Sequence, residues 1–472
     1  MARLREFLFD RDFYRSVLTL GLPIAAQNLL SSSANLIDTV MVGQLGEVSL
    51  SAVGMAGQWS FLMFLFFFGF SSGSSVFFSQ YWGIKDLSRI RHTYTLGFAN
   101  VFIISLIFMV VGYCFPAQVI RVFTNDEVVV AEGVLYLRVA VFAYVAQCVN
   151  TYGCALLRAT EEVRLPMISN IIAVLTNTFL NWVFIYGNLG APAMGVRGAA
   201  LATAISSWVG MAIVLIVSYK KKNLLALPLK EFFHIRKSTV KRFYPVVLPV
   251  VFNESLWAVA SMALNMVYGR LGTGNYSAMT VKNTIENLAF TFFIGLSSAD
   301  SVMVGKSIGA GDFKRGFTDA RRFGLLSPAL AVLLGVVLVL LRVPLTNLFT
   351  LSDEVKVTAQ YLMIVNACIY PLRMFNHMNI VGTFRAGGDT KASLIMDAGS
   401  IWCLSVPLVA LAGLVWKFPF VLVFAMTAVE ELAKFICGMI YLNSGKWIKP
   451  VTAPQSLPVA AEETFPAEDQ AV

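Results

Sequence analysis

Polar and charged residues embedded in apolar sequence are where this chain could do chemistry. Asp38 lies inside the first long apolar stretch and is the only deep carboxylate in the first half of the chain. Arg138, Asn177 and Asn181 enter later apolar stretches to a comparable depth, and the two asparagines, four residues apart, share one helix face. A carboxylate in such a setting takes up a proton or a cation, and neighbouring amides complete its hydrogen bonds. The four residues read as one site with Asp38 as acceptor of H⁺ or Na⁺. The bland alternative is an Asp38–Arg138 ion pair that only neutralises two buried charges.

The second half carries its own set: Glu254, Arg373, Asp397, Glu430, Glu431 and Lys434. Glu254, Arg373 and Asp397 sit at similar depth and are expected to form one network, either coupling a cation or packing the helices. Asn376, one turn from Arg373, is placed with it as a cavity residue. Lys282 and Glu286 read as an interfacial pair, with Glu286 also counted toward the cavity. Asp300 is expected to be solvated.

These residues need a membrane around them. Of 472 residues, 57% are hydrophobic and only 13% are charged, about half the charge of an ordinary soluble chain. Mean hydropathy is +0.71. The net charge of +9 does not indicate nucleic acid, because the basic residues lie in short runs between apolar stretches and not on one solvated face. The six cysteines all fall in apolar stretches without Cys-x-x-Cys spacing and read as free thiols. The three histidines are far apart, so no resident metal or cofactor is expected beyond Na⁺ at Asp38.

Twelve apolar stretches, beginning near 17–41 and ending near 419–442, are long enough to span a bilayer. Connections on the side of the N-terminus hold 26 Lys and Arg, against 6 on the other side, which predicts both termini in the cytoplasm of a multi-pass cell-membrane protein. The expected fold is therefore an all-α polytopic membrane protein of twelve transmembrane helices.

The halves repeat. At an offset of 226, Gly43-x-Leu45-Gly46 recurs as Gly269-x-Leu271-Gly272, and Gly83-x-x-Asp86-x-x-Arg89 as Gly309-x-x-Asp312-x-x-Arg315. At 227, Arg158-Ala159 recurs as Arg385-Ala386. Six spans per half make this a parallel pseudo-two-fold repeat of two six-helix lobes. The boundaries expected are an interfacial segment 1–15, an N-lobe 16–218, a cytoplasmic linker 219–242, a C-lobe 243–442 and a disordered tail 443–472.

The run Ile37-Asp38-Thr39-Val40-Met41-Val42-Gly43, with Gly305-x-x-x-Gly309-Ala310-Gly311-Asp312 and Phe384-Arg385-Ala386-Gly387-Gly388-Asp389-Thr390, resembles MATE multidrug transporters. The resemblance covers about residues 15–445. It implies a central cavity and export of small organic, often cationic, amphipathic compounds against a gradient of H⁺ or Na⁺, by a chain expected to work as a monomer among membrane lipids. One branch of that family carries an acidic residue in span five, one turn beyond an Asn, where this chain has Asn181 after Asn177. Another carries an Asp in span ten, where this chain has Arg373 and Asn376.

Three other readings compete. A flippase for a lipid-linked saccharide precursor would need clustered basic residues for pyrophosphate, and the intramembrane cations are scattered. A different twelve-span carrier class would need a Gly-x-x-x-Asp-Arg-x-Gly loop after span two, which Gly83 and Asp86 do not match. An intramembrane enzyme would need a motif such as His-Glu-x-x-His, which does not occur, or a Gly-x-Ser-x-Gly at a strand-to-helix turn. That second spacing occurs at Gly69–Gly73 and Gly305–Gly309, but within or at the end of apolar stretches read as helices, where it does not expose a nucleophile.

Overall fold

In a bilayer every backbone N–H and C=O must be satisfied within its own segment, so long apolar runs fold as helices. The computed structural model describes residues 10–226, 236–349 and 351–452. Twelve long helices follow one another: α1 (Arg11–Gly43), α2 (Glu47–Gly83), α3 (Leu87–Cys114), α4 (Glu127–Ala140 and Ala143–Ala159), α5 (Arg164–Tyr186) and α6 (Val196–Lys221) form the first half. The second half holds α7 (Lys237–Arg270), α8 (Thr273–Gly309), α9 (Phe313–Leu340) and α10 (Asp353–His377, continued by the π-helical Met378–Phe384). It ends with α11 (Thr390–Val415) and α12 (Phe420–Ala425 leading into Thr427–Ser444). The protein is an all-α polytopic membrane protein whose two six-helix lobes repeat one another in element order.

Nine of the twelve, with bent α4 counted as one, are long and apolar enough to span by composition alone. The other three are α1, α10 and α12. α1 is diluted by Gln27, Asn28, Ser31, Ser32, Ser33 and Asp38, and α12 by Glu430, Glu431 and Lys434. These three helices fall short because polar groups that the protein uses internally lower their hydropathy, although α5, α7, α8 and α11 carry such groups and still pass.

Repeated sequence becomes repeated geometry at the helix starts. Asp86 caps α3 by accepting the Arg89 N–H at 3.0 Å, and Asp312 caps α9 by accepting the Arg315 N–H at 3.0 Å. The halves differ at α4, whose segments meet at 55°. The Phe142 carbonyl at that bend accepts a hydrogen bond from Trp208 Nε1 at 2.9 Å, so the break leaves this acceptor satisfied.

Compactness cuts the chain differently from the repeat. One unit holds Leu248–Val472 together with Met1–Ala25 and Ser79–Lys85; the other holds Ala26–Phe78 and Asp86–Val247. Within the first unit, Gly83 and its repeat mate Gly309 permit a backbone approach that no side chain could share. A Cβ on Gly83 would run into the Lys306 carbonyl, and one on Gly309 into the Gln80 carbonyl.

The expected tail from 443 differs from what is found. α12 runs to Ser444, and the following residues dock on the α10–α11 connection. Trp447 is fully buried against Gly387, the Lys449 N–H donates to the Gly387 carbonyl at 2.8 Å, and Lys449 Nζ lies 2.5 Å from Asp389. Gln80 completes the latch, donating to the Ala386 carbonyl at 2.8 Å and accepting the Val451 N–H at 2.7 Å. A tryptophan among polar residues is the signal for such docking, because its large apolar surface gains by burial. Residues 1–9 of the expected interfacial segment, 227–235 of the linker and 453–472 of the tail lie outside the described residues.

Candidate functional site

In the second unit α1 and α5 run alongside each other, joined at successive levels. Asn170 Nδ2 donates to the Gln27 carbonyl at 3.1 Å and to Ser31 Oγ at 3.0 Å. Further along, Asn181 Nδ2 donates to Asp38 Oδ1 at 2.5 Å. With its amide turned nitrogen-inward, Asn177 donates to both Asp38 oxygens, at 2.8 and 3.1 Å. At the far end the Tyr186 hydroxyl donates to the Met41 carbonyl at 3.1 Å. Two parallel helices thus place two amides on one carboxylate, and both asparagines are buried.

Arg138 is not part of this cluster. It is exposed, and among the described residues no ion pair joins it to Asp38. The Asp38–Arg138 salt bridge weighed from sequence does not form; α4 presents Tyr136 to the packing around Val42, Ile185 and Ala199 instead. Asp38 is therefore a carboxylate held by neutral donors.

The first unit holds two charge clusters where the sequence suggested one. In the first, Glu286 on α8 is held by Lys282 at 2.6 Å and by Arg373 of α10 at 2.6 Å. Arg373 also meets Glu431 of α12 at 3.0 Å. Asn376 donates to the carbonyl and the carboxylate of the same Glu431, at 2.8 and 2.9 Å. The Lys282–Glu286 pair forms as expected, but it is enclosed by the protein with Arg373 as a third member.

In the second cluster Asp397 of α11 accepts from Lys434 at 2.7 Å and from Asn253 of α7 at 2.9 Å. Lys434 also holds Glu430, at 2.5 Å. Glu254 pairs with Arg385 at 2.8 Å. The expected Glu254–Arg373–Asp397 network is thus corrected: Arg373 belongs with Glu286 and Glu431, and Glu254 takes Arg385. Arg385 sits in the repeated Arg-Ala motif beyond the tenth apolar stretch, and it closes α10 and is 1% exposed. Its doubling at 158 and 385 was the available signal.

Asp300 corrects the remaining expectation. It is 0% exposed, not solvated; Oδ2 accepts from the Thr383 hydroxyl at 2.8 Å, while Oδ1 has no partner. α8 is covered here by the π-helical end of α10, a cover that hydropathy does not reveal.

Across the clusters, the repeat is obeyed in backbone and broken in chemistry. Gln27 and Asn170 on α1 and α5 correspond to Asn253 and Asp397 on α7 and α11. Both pairs are joined by a hydrogen bond, but its direction reverses: Asn170 donates to the Gln27 main-chain carbonyl, whereas Asp397 accepts from the Asn253 side chain. Asp38 corresponds to Leu264, eleven residues beyond that level, or roughly 16 Å along a helix at about 1.5 Å per residue. The two lobes carry their acids at different heights of the same helix pair.

Many apolar helices enclosing hydrogen-bonded charge define an integral membrane protein with a polar interior. The MatE family profile matches the chain twice, over residues 23–183 and 249–411, one match for each half, and the chain belongs to the MatE family. It is 24% identical over 449 residues to the probable multidrug resistance protein NorM of Thermotoga maritima, covering 93% of this chain and 94% of that one. It is 26% identical over 412 residues to the multidrug resistance protein MdtK of Yersinia enterocolitica, covering 85% and 88%. The fold is shared with a crystal structure of a variant of the Vibrio cholerae MATE transporter VcmN, with a TM-score of 0.85 at 17% identity, over 93% of this chain and 98% of that one.

Proposed function

We propose that this transporter exports amphipathic organic compounds, cationic ones in particular, across the cell membrane in exchange for H⁺ or Na⁺. The observation that carries the reading is the Asp38 carboxylate held by Asn177 and Asn181 with no cation beside it among the described residues. A half-buried carboxylate bonded to neutral donors is favourable to either ion: it can take a proton, or it can take Na⁺ if the amides turn their oxygens inward. Asn181 Oδ1, buried without a partner, is available for the second. An organic cation leaving the cell and an ion entering it would use this single negative charge alternately, each favouring a different state of the transporter.

Support for drug export comes from the relatives named for multidrug resistance. The charge bias of 26 to 6 supports both termini in the cytoplasm, and we read the working unit as a monomer. A flippase is disfavoured because Lys282, Arg373, Arg385 and Lys434 are each held by a carboxylate, leaving these cations no free charge for pyrophosphate.

Reconstituted protein tested with a fluorescent organic cation decides the matter. Export under an imposed pH gradient or an imposed Na⁺ gradient, applied one at a time, is the expected result and names the ion. No movement of the dye under either gradient overturns the reading.

A further inference from the structure

We propose that Asp300 is an exchangeable proton-binding site in the second half of the chain, separate from Asp38. The argument begins with what surrounds it. Asp300 lies near the end of α8, is 0% exposed, and receives one hydrogen bond, from Thr383 in the π-helical stretch of α10. Oδ1 receives none. Gly382 makes the room, since a Cβ there would run into the carboxylate.

No counter-charge is supplied. α10 presents the neutral Thr383. α9 presents Asp319, a like charge, which is itself occupied by Arg322 at 3.2 Å. α1 packs Gly21 against Gly295 and Ala299 on the preceding turns. Among the described residues no Lys or Arg forms an ion pair with Asp300. An anion so placed has lost its hydration and gained one neutral donor, and protonation is the least costly remedy. The proton arrives from water and sits on a carboxylate oxygen, changing the charge from −1 to 0 with no other bond made or broken.

The repeat argues that this carboxyl is more than packing. Its mate is Ser74, also fully buried, which accepts from the Tyr152 hydroxyl at 2.7 Å. One half fills the position with a neutral hydroxyl pair; the other places an ionisable group there, against an irregular helix. π-Helical turns concentrate at functional positions, and this one gives the carboxyl a neighbour whose hydrogen bonds can rearrange to admit water.

The test reads the proton directly and is independent of export. Infrared spectra of reconstituted protein at pH 7 should show a protonated carboxyl C=O band that is lost in Asp300→Asn and retained in Asp38→Asn. Asp300→Ser, which copies the repeat mate, should give the same loss if the first variant folds poorly. In D₂O the band should shift, showing exchange with solvent. A spectrum unchanged by both Asp300 substitutions, or a band that never shifts in D₂O, overturns the proposal.

Discussion

Asn170 and Asp397 occupy the same point of the repeat and face the same partner position. Asn170 donates to the Gln27 carbonyl, and Asp397 accepts from Asn253, the mate of Gln27. A carboxylate in place of an amide thus reverses the direction of the hydrogen bond and installs a charge at this helix contact, and Lys434 comes to meet it. Removing the charge and keeping the shape should leave Lys434 with Glu430 alone.

The Glu254–Arg385 pair gives the clearest stability prediction. Arg385 is almost wholly enclosed, so Glu254→Gln removes the charge that its guanidinium meets at 2.8 Å. Breaking such a pair costs about 3–5 kcal/mol. A marked fall in thermal unfolding temperature in detergent is expected, and wild-type stability would show that the pair contributes little.

Asp38→Asn keeps the side-chain volume and removes the titration. It should fold, insert and lose gradient-driven export. Asn181→Ala should weaken export about tenfold, as expected when a charge-assisted hydrogen bond of about 1.5 kcal/mol is removed. Dye export by equal amounts of inserted protein measures both, and full export by Asp38→Asn would exclude it as the coupling group.

Gly309→Ala should destabilise by at least about 1–3 kcal/mol, because the new methyl meets backbone and not a movable side chain. Gly46→Ala makes a useful contrast. Its Cβ would have open space, so any penalty there reflects its positive φ alone. Expression level and thermal unfolding of the two variants separate crowding from backbone strain.

Trp447→Ala removes a fully buried aromatic and should cost about 3–5 kcal/mol in the docked segment. The expected result is faster proteolytic cleavage after Ser444, with the helices themselves retained. Unchanged cleavage would mean that Lys449, Asp389 and Gln80 hold the segment without it.

Asp10, just ahead of α1, supplies a pH dependence. Burial opposes its charge, but the Phe13 N–H, the Arg322 guanidinium and the Asp12 N–H outweigh that and hold its carboxyl below the ordinary carboxylate range. A lowered native pKa stabilises the fold above the unfolded value of about 3.9, and that contribution is lost as pH falls through the native one. Asp10→Asn should therefore be less stable than wild type at pH 7 and converge with it in acid. A stability gap that is constant with pH would refute the assignment.

Much of this architecture could be read before any coordinates. Most of the span count follows from hydropathy, with α1, α10 and α12 falling short, and duplication follows from Gly, Asp and Arg recurring at fixed offsets, because both are read along the chain without knowing how helices pack. Asp38, Asn177 and Asn181 were legible as a group because equal depth on parallel helices brings residues together. Partner choice was not. Arg138 has the right depth and the wrong face, and Arg385 fell beyond the tenth apolar stretch because a π-helical stretch carries α10 further than its apolar run suggests. Asp300 looked solvated for the same reason. Depth can be counted along one helix, whereas facing and cover depend on how several helices turn against each other.

The charges of α12 also bear on how the chain is made. A charge at the centre of an isolated helix raises the free energy of membrane insertion by about 2.5–3.5 kcal/mol, and α12 carries Glu430, Glu431 and Lys434. Its counter-charges, Arg373 and Asp397, lie on α10 and α11, which leave the ribosome earlier. The last helix therefore enters the bilayer beside an acceptor set already in place, and α10 and α11 must stay at the insertion site until its synthesis is complete. Electrostatic pairing with α10 and α11 thus offsets part of the insertion cost that the hydropathy of α12 leaves uncovered.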